Sequence, residues 1–271
     1  MLLLDTHMHS TVSFDGHSSR REMAEASMAF GLDVICLTDH YDIINEKNQL
    51  CPTYDWAPAR QAHREALEVI PKGNPFRLLY GLELGNAPAD FAAAERALEE
   101  PGLDFVIGSI HNASLAMDGQ DFYYVDFRSH PELARSCLED YFASMLALAR
   151  WGNYDTLGHI PYPLRYIRDR DGVQTGLSDY WEECRALLRR NAEGGKALEV
   201  NTNRGRDDLE DYSALLPAWR EAGGELVTVG ADAHHRDHVG LGIRQAYDLL
   251  RDCGFRYVTY YVQRKPVMVK L

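Results

Sequence analysis

The segment Asp5-Thr6-His7-Met8-His9 places two imidazoles side by side, directly after an apolar run at the N-terminus. In an extended chain residues i and i+2 lie on the same face, so His7 and His9 can bind one ion together. Imidazole nitrogen is a common ligand of zinc and related metals. Alone, this pair is a weak indication, because two histidines at this spacing also occur at ordinary polar strand ends.

Ionisable side chains follow six further apolar runs, and with His7 and His9 they make six imidazoles and three carboxylates. The further residues are His40, Glu83, His111, His159, Glu199, Asp232 and His234. So many ionisable groups cannot share one pocket without cations, because an unpaired buried charge is costly. One zinc-like ion takes about four protein ligands, or three and a water. Nine side chains are therefore too many for one ion and enough for two or three.

The apolar runs that carry these residues are typical of strands buried in a parallel sheet. Seven strands are predicted, at residues 2–4, 33–38, 77–82, 104–110, 154–158, 196–200 and 225–230. Helical patterns separate them, at residues 20–30, 56–70, 90–99, 131–150, 178–193 and 210–222. Residues 41–55 lack periodicity and are predicted to form a loop.

Strands that alternate with helices predict an α/β fold with a parallel sheet. No glycine-rich nucleotide-binding motif follows a predicted strand, which argues against a doubly wound sheet and favours a closed or nearly closed barrel. The C-terminal strand ends of a barrel surround one opening, where distant residues meet. Residues 255–261 and 266–271 have strand-like composition but lie outside the seven, and either pair together or cover the barrel.

Length and composition fit a single domain over residues 1–271. The chain has 45% hydrophobic residues, enough for one large core. It has neither an 18-residue apolar stretch nor a signal-peptide pattern, so we expect a cytoplasmic protein without membrane contact. The cysteines are odd in number, scattered and without a C-x-x-C pair, which predicts reduced thiols. They are Cys36, Cys51, Cys137, Cys184 and Cys253.

The net charge of −13, from 41 acidic and 28 basic residues, would repel a nucleic acid. No cluster of lysine and arginine offsets it, so a nucleic-acid partner is not expected. Residues 165–170 mix three arginines with an aspartate and form either a solvated loop or an anion site. The sequence carries no prediction of oligomeric state.

Seven motifs at the predicted strand ends resemble those of the polymerase-and-histidinol-phosphatase (PHP) family. They are Asp5-Thr-His-Met-His9, Thr38-Asp-His40, Gly81-Leu-Glu83, Gly108-Ser-Ile-His111, Gly158-His159, Leu198-Glu-Val-Asn201 and Gly230-Ala-Asp-Ala-His234. Within the family the chain is similar to the stand-alone histidinol-phosphatase branch. This resemblance implies a distorted (β/α)7 TIM-like barrel with a trinuclear metal site, and thus an enzyme of histidine biosynthesis.

The resemblance also implies a set of metal ligands. The first ion would be held by His7, His9, Glu83 and Asp232. Glu83 would bridge to a second ion on His111 and His159, and a third would be held by His17, His40 and His234. His17 is alternatively an ordinary residue of a turn before a helix. Glu199 or Asn201, and likewise Asp39, would orient a ligand rather than bind an ion.

Two metals that share a carboxylate can hydrolyse a phosphate ester. Ions roughly 3.5–4 Å apart can hold one hydroxide between them and stabilise the attacking and leaving oxygens of an in-line displacement. A guanidinium suits the non-bridging oxygens, and Arg165, Arg204 or Arg206 is expected to supply it, Arg165 and Arg204 first. The predicted catalytic residues are Glu83, Asp232, His234, Arg165 and Arg204.

The predicted substrate is the small phosphomonoester histidinol phosphate, and the aromatic residues predicted to form an apolar wall for its leaving group are Tyr162, Tyr166 and Phe122 to Tyr124. Histidine and carboxylate ligands suit zinc, iron and manganese alike. The alternatives are a metallo-amidohydrolase, a nuclease with the same motifs, and a metal-bound module without activity. A metallo-amidohydrolase would be expected to have a lysine on the fourth strand.

Overall fold

The structure, a computed structural model, describes residues 1–45, 47–50, 52–205 and 209–271. The strands of these residues are β1 (Leu4–Asp5), β2 (Val34–Leu37), β3 (His40–Asp42), β4 (Arg77–Gly85), β5 (Phe105–Ser109), β6 (Thr156–Leu157), β7 (Ala197–Asn201), β8 (Val227–Gly230), β9 (Tyr257–Val262) and β10 (Lys265–Lys270). The α-helices are α1 (Arg20–Phe30), α2 (Trp56–Leu67), α3 (Phe91–Ala97), α4 (Leu133–Trp151), α5 (Trp181–Glu193), α6 (Leu209–Glu221) and α7 (Ile243–Asp252).

Seven strands form a parallel sheet in the order β1-β2-β4-β5-β6-β7-β8, and β3 pairs with β4. Just beyond β1 and β8 the sheet is joined again by backbone hydrogen bonds. The N–H of Thr6 donates to the carbonyl of Val229 at 2.9 Å, and that of Asp232 donates to the carbonyl of His7 at 2.8 Å. The predicted α/β barrel is thereby confirmed, and the C-terminal strand ends surround one mouth.

The helix α1 shows how local sequence sets an element. Ser19 accepts a hydrogen bond from the N–H of Glu22, whose carboxylate accepts one from the N–H of Ser19, a capping box that satisfies the first turn. Gly31 ends the helix with φ at 89°, in the left-handed region that glycine adopts without strain. The predicted helix at residues 20–30 therefore has its predicted bounds.

Several elements differ from the prediction, and three of these differences are described here. The strand at residues 77–82 continues to Gly85 and pairs with β3, so the segment predicted as a loop from residue 41 begins as a strand. Helix α7 was not predicted, although its buried Ile243, Ala246, Tyr247 and Leu250 recur at helical spacing. Helix α5 starts only at Trp181, after a 3₁₀ turn.

The two strands of the C-terminal tail pair with each other, and the hairpin they form also covers one end of the barrel. Strands β9 and β10 form an antiparallel hairpin. The hydroxyl of Tyr261 donates to the carbonyl of Asp155 at 3.2 Å, and the N–H of Arg264 donates to the carbonyl of Asp104 at 2.9 Å. These two acceptors directly precede β6 and β5, so the hairpin lies at the N-terminal end of the barrel, opposite the mouth.

Four cysteines are free thiols in the structure, and Cys51 lies outside the described residues. In the described part of the chain no helix has both the length and the apolar character needed to cross a membrane.

A buried ion pair joins α1 to the segment between β2 and β3, and its arginine also contacts α2. Nη2 of Arg20 lies 2.7 Å from Oδ2 of Asp39, and both side chains are inaccessible to solvent. Arg20 also donates to the carbonyl of Ala59 and to the hydroxyl of Tyr54, both at 3.2 Å. Burial by itself would raise the pKa of Asp39, but the Arg20 guanidinium and the Ser10 N–H hold it below its usual value.

We predict that Arg20→Gln lowers the free energy of unfolding by about 3–5 kcal/mol, because it leaves Asp39 charged and unpaired in the core. Arg21→Gln is the matched control, since Arg21 pairs with Glu25 on the surface of the same helix and should change stability by less than about 1 kcal/mol. Urea denaturation of both variants measures the difference. Equal stabilities would contradict a structural role for the buried pair.

Candidate metal centre

The end of β1 brings two imidazole side chains close together. Nε2 of His7 lies 3.0 Å from Nε2 of His9, and both rings are fully buried. The other ring nitrogens have partners, since Nδ1 of His7 lies 2.5 Å from Oε1 of Glu199 and Nδ1 of His9 lies 3.3 Å from the hydroxyl of Ser13. A neutral imidazole that donates through Nδ1 keeps the Nε2 lone pair free, and both lone pairs here point to one place.

Glu83 lies inside β4, in register with His40 on β3, and its carboxylate is completely buried. Its Oε1 lies 3.2 Å from Nε2 of His111 and 2.9 Å from Nε2 of His159. Its Oε2 faces the other way, 3.2 Å from Nε2 of His7 and 3.1 Å from Nδ1 of His40. One carboxylate therefore stands between two groups of imidazoles, which is the arrangement of a bridging ligand.

Asp232 completes the group around His7 and His9. It follows β8 with φ at 57°, a left-handed conformation that aspartate tolerates better than most residues. Its Oδ1 lies 3.3 Å from Nε2 of His9 and 3.6 Å from Nε2 of His7. Its Oδ2 accepts a hydrogen bond from Nη1 of Arg165 at 3.0 Å.

The third group of side chains contains Asp15 in the place expected for His17. Oδ2 of Asp15 lies 3.0 Å from Nε2 of His234 and 3.6 Å from Nε2 of His40. His17 has an exposed side chain that lines the cavity over these residues. Its backbone N–H donates to the carbonyl of His234 at 2.8 Å. Among the described residues, no group of converging donor atoms includes its ring.

The sequence analysis missed Asp15 because it followed strand ends and histidines. In the sequence only the glycine beside it marks a turn, and in the structure a Cβ at this Gly16 would overlap the carbonyl oxygen of Ser10. This close approach folds the loop over the end of β1, and Asp15 points into the mouth.

The electrostatics of the centre favour cations. Burial alone would raise the pKa of Glu83, but the charges of His7, His111 and His40 hold it well below its usual range. The pKa of Asp232 is also held well below its usual range. Burial alone would raise it, and the charge of His7 is the largest of the effects that lower it. Both carboxylates are therefore anionic at neutral pH, and ions bound here would replace protons on the imidazoles.

His9 is the ring that the others enclose. Its centroid lies 4.1 Å from that of His40 and 4.2 Å from that of His234. Burial and the positive charges of these two neighbours lower the pKa of His9 to about 3. It is therefore neutral and available as an electron-pair donor over the physiological range.

Donor atoms within 4.8 Å of one another define four overlapping groups in the described chain. They are His9, His40 and His234; His7, His159 and Asp232; His7, His9 and Glu83; and His40, Glu83 and His111. The structure thus brings together eight of the nine side chains expected to bind metal, all except His17.

Carboxylates outside these groups hold the imidazoles in place. Glu199 accepts from the backbone N–H of His159 at 2.9 Å as well as facing His7. Asp39 accepts a hydrogen bond from the hydroxyl of Ser13 at 3.0 Å, and that hydroxyl accepts one from the N–H of His40 at 2.9 Å. Asp42, which the sequence analysis did not single out, lies 3.0 Å from Nδ1 of His111. Such contacts fix tautomer and ring orientation in metal sites.

The arginines expected to bind phosphate differ in position. Arg165 begins a π-helical turn (Arg165–Arg170), and its Nη2 donates to Oδ1 of Asn201 at 2.8 Å in addition to its contact with Asp232. Arg204 lines the cavity directly, with φ at 61° and a buried Nε that has no hydrogen-bond partner among the described residues. Arg206 lies outside the described residues.

A cavity of about 410 Å³ opens over the centre. Its lining contains the aromatic residues Tyr123, Tyr124, Tyr162 and Tyr166, four of the five expected there. The fifth, Phe122, is fully buried and packs against Tyr141 in the core. The fold therefore gives the mouth an ionic floor and a tyrosine wall.

Comparisons with known proteins agree with this geometry. The chain is 29% identical over 268 residues to histidinol-phosphatase of Lactococcus lactis, which covers 94% of this chain and 93% of that one. It is 27% identical over 266 residues to a Clostridium acetobutylicum protein named "Probable histidinol-phosphatase", covering 96% and 97% of the two chains.

A solved structure extends the similarity to three dimensions. The crystal structure of histidinol phosphate phosphatase from Lactococcus lactis, complexed with zinc, L-histidinol and phosphate, superposes with a TM-score of 0.83 at 26% identity and 98% coverage of both chains. The model of the PHP domain matches residues 5–203, well over half of the sequence. The chain belongs to the PHP domain family.

Proposed function

We propose that this protein is a metal-dependent phosphomonoester hydrolase that converts L-histidinol phosphate and water to L-histidinol and phosphate in histidine biosynthesis. The observation that carries the proposal is the buried Glu83 carboxylate between two groups of imidazoles. The similarity to histidinol-phosphatases over nearly the whole chain supports the choice of substrate. The proposal includes one domain over residues 1–271 in the cytoplasm, with no nucleic-acid partner.

The residues present fit two to three divalent transition-metal ions. Oε2 of Glu83 is buried and accepts no hydrogen bond from residues that the structure describes, so a cation would be a fitting partner. Nitrogen and carboxylate donors at these positions suit zinc, iron or manganese. We propose that one ion is held by His7, His9, Glu83 and Asp232. A second is held by Glu83, His111 and His159, and a third by His40, His234 and Asp15, which replaces the predicted His17.

Bound ions of this kind supply Lewis-acid stabilisation of phosphoryl oxygens and lower the pKa of water towards neutrality. The chain itself supplies binding and orientation. Arg204, which lines the cavity and whose Nε has no hydrogen-bond partner in the part of the chain that the structure describes, would bind the non-bridging phosphate oxygens. Arg165 would act through Asp232, because its hydrogen bond fixes the carboxylate that faces His7 and His9. Glu83, Asp232 and His234 are catalytic in this proposal because they hold the ions.

The first prediction concerns the bridge. The purified protein should contain two to three transition-metal ions per chain, and Glu83→Gln should lower metal content and kcat together, by at least about 10-fold, because the amide lacks the charge that holds two cations. Elemental analysis and steady-state kinetics measure both. Glu65→Gln, an exposed change on α2, is the control. Full metal content in an active Glu83→Gln protein would place the bridge elsewhere.

The second prediction separates the two arginines. Arg204→Ala should reduce kcat/KM by about 10–100-fold with metal content unchanged, because it removes a charged hydrogen bond to phosphate. Arg165→Ala should lower metal content as well, because Asp232 loses its partner. Arg168→Ala is the control, since Arg168 pairs with Asp211 away from the cavity. If both active-site variants keep full activity, neither arginine acts as proposed.

The third prediction tests the substrate. We expect kcat/KM for histidinol phosphate to exceed that for p-nitrophenyl phosphate, although the aryl ester is chemically easier to cleave. Both present the same phosphoryl group, so the difference must come from the leaving-group side of the cavity. Single-stranded DNA and an amide substrate complete the panel. Equal efficiency on the two esters, or a preference for DNA or the amide, would contradict the assignment.

A further inference from the structure

Asp121 is a cavity residue for which neither the metal centre nor the phosphate site accounts. It lies in the long loop after β5, at the start of a short turn (Phe122–Tyr124). A backbone bridge pairs it with Asn112, and the next N–H, that of Phe122, donates to the carbonyl of His111 at 3.2 Å. Phe122 is fully buried and anchors the turn. The Asp121 carboxylate is therefore held at a fixed place in the cavity wall.

Among the described residues, the Asp121 carboxylate lacks the imidazole partner that the other carboxylates of the cavity have. Asp15, Asp42, Glu83 and Asp232 each lie within 4.0 Å of at least one imidazole nitrogen. Asp121 is only 8% exposed and forms no ion pair with any described residue; its Oδ1 accepts a hydrogen bond from the N–H of Tyr123 at 2.8 Å. Burial raises the pKa of Asp121 to about 6, partly offset by that N–H and by the charge of His111.

The surroundings of Asp121 suit an organic cation. Tyr123 and Tyr124 stand at the mouth and are more than half exposed, while Tyr162 and Tyr166 line the same cavity. Tyr123 meets the ring of Tyr166 edge to face, with centroids 5.6 Å apart. Aromatic faces attract ammonium, and they stack on imidazole rings. A carboxylate within a tyrosine wall is therefore a site for a positively charged group of moderate size.

We propose that Asp121 binds the cationic group of the leaving alcohol, so that the enzyme selects phosphomonoesters of amino alcohols over uncharged esters. The inference rests on the proposed phosphatase function and names the residue that decides its specificity. The phosphate would lie at the metal centre and Arg204, and the ammonium would pair with Asp121 in the same cavity. An uncharged leaving group would leave the Asp121 carboxylate buried without a partner. Binding of an uncharged ester is therefore disfavoured.

The test compares three substrates in one variant. Asp121→Asn should lower kcat/KM at least about 10-fold for histidinol phosphate and O-phosphoethanolamine, mainly through KM, and change p-nitrophenyl phosphate by less than about 2-fold. Metal content should stay constant. Asp126→Asn is the matched control, because Asp126 is exposed in the same loop and bonds only its local backbone N–H and hydroxyl groups at Ser129. It should leave all three substrates unchanged.

The substrate ratio within a variant protects the test against a general loss of folded enzyme. Equal losses on cationic and uncharged esters, or no loss on either, would overturn the role of Asp121. Wild-type enzyme that cleaves O-phosphoethanolamine but not histidinol phosphate would overturn the proposed substrate, and the effect of Asp121→Asn on O-phosphoethanolamine would still decide the inference. Wild-type enzyme with no preference for cationic esters would overturn it as well.

Discussion

A carboxylate buried among five imidazoles is the constraint on which this structure depends. Glu83 has no solvent access, yet its two oxygens lie within 3.4 Å of five ring nitrogens, those of His7, His9, His40, His111 and His159. A charge in that position needs compensation by protons on the rings or by bound cations. Protons on all five rings would repel one another, so cations between them are the better solution.

The backbone around the mouth is built to allow this crowding. Gly85 follows Glu83 by two residues, and a Cβ there would overlap the carboxylate of Asp42 that orients His111. Gly230 plays the same part across the barrel, where a Cβ would overlap the Cβ of His7. Glycine at these strand ends gives side chains of neighbouring strands the space to meet. The motif Gly230-Ala-Asp-Ala-His234 therefore combines two proposed ligands with a glycine that makes room for another, His7.

Sequence reasoning succeeded where periodicity decides structure and fell short where loops do. The barrel could be predicted because apolar runs alternate with helices, and the strand ends carry His40, Glu83 and His111 to one place by topology alone. Asp15 and Asp121 lie in loops. The position of each depends on a contact distant in sequence or on a buried anchor, so no spacing rule could find it. The apolar residues of helix α7 do recur at helical spacing, but the helix was not predicted because the prediction followed the strand ends.

The charge distribution explains how an acidic protein can take a dianionic substrate. A chain with net charge −13 repels phosphate at a distance. The anionic donors Asp15, Glu83 and Asp232 become a positive floor only when divalent ions occupy them, so in the proposed function metal loading controls phosphate binding as well as the chemical step. Asp121 lines the same cavity and has no imidazole partner among the described residues. In the proposed function an ester with phosphate at one end and ammonium at the other would be aligned at both ends at once, by the ions at its phosphate and by Asp121 at its ammonium.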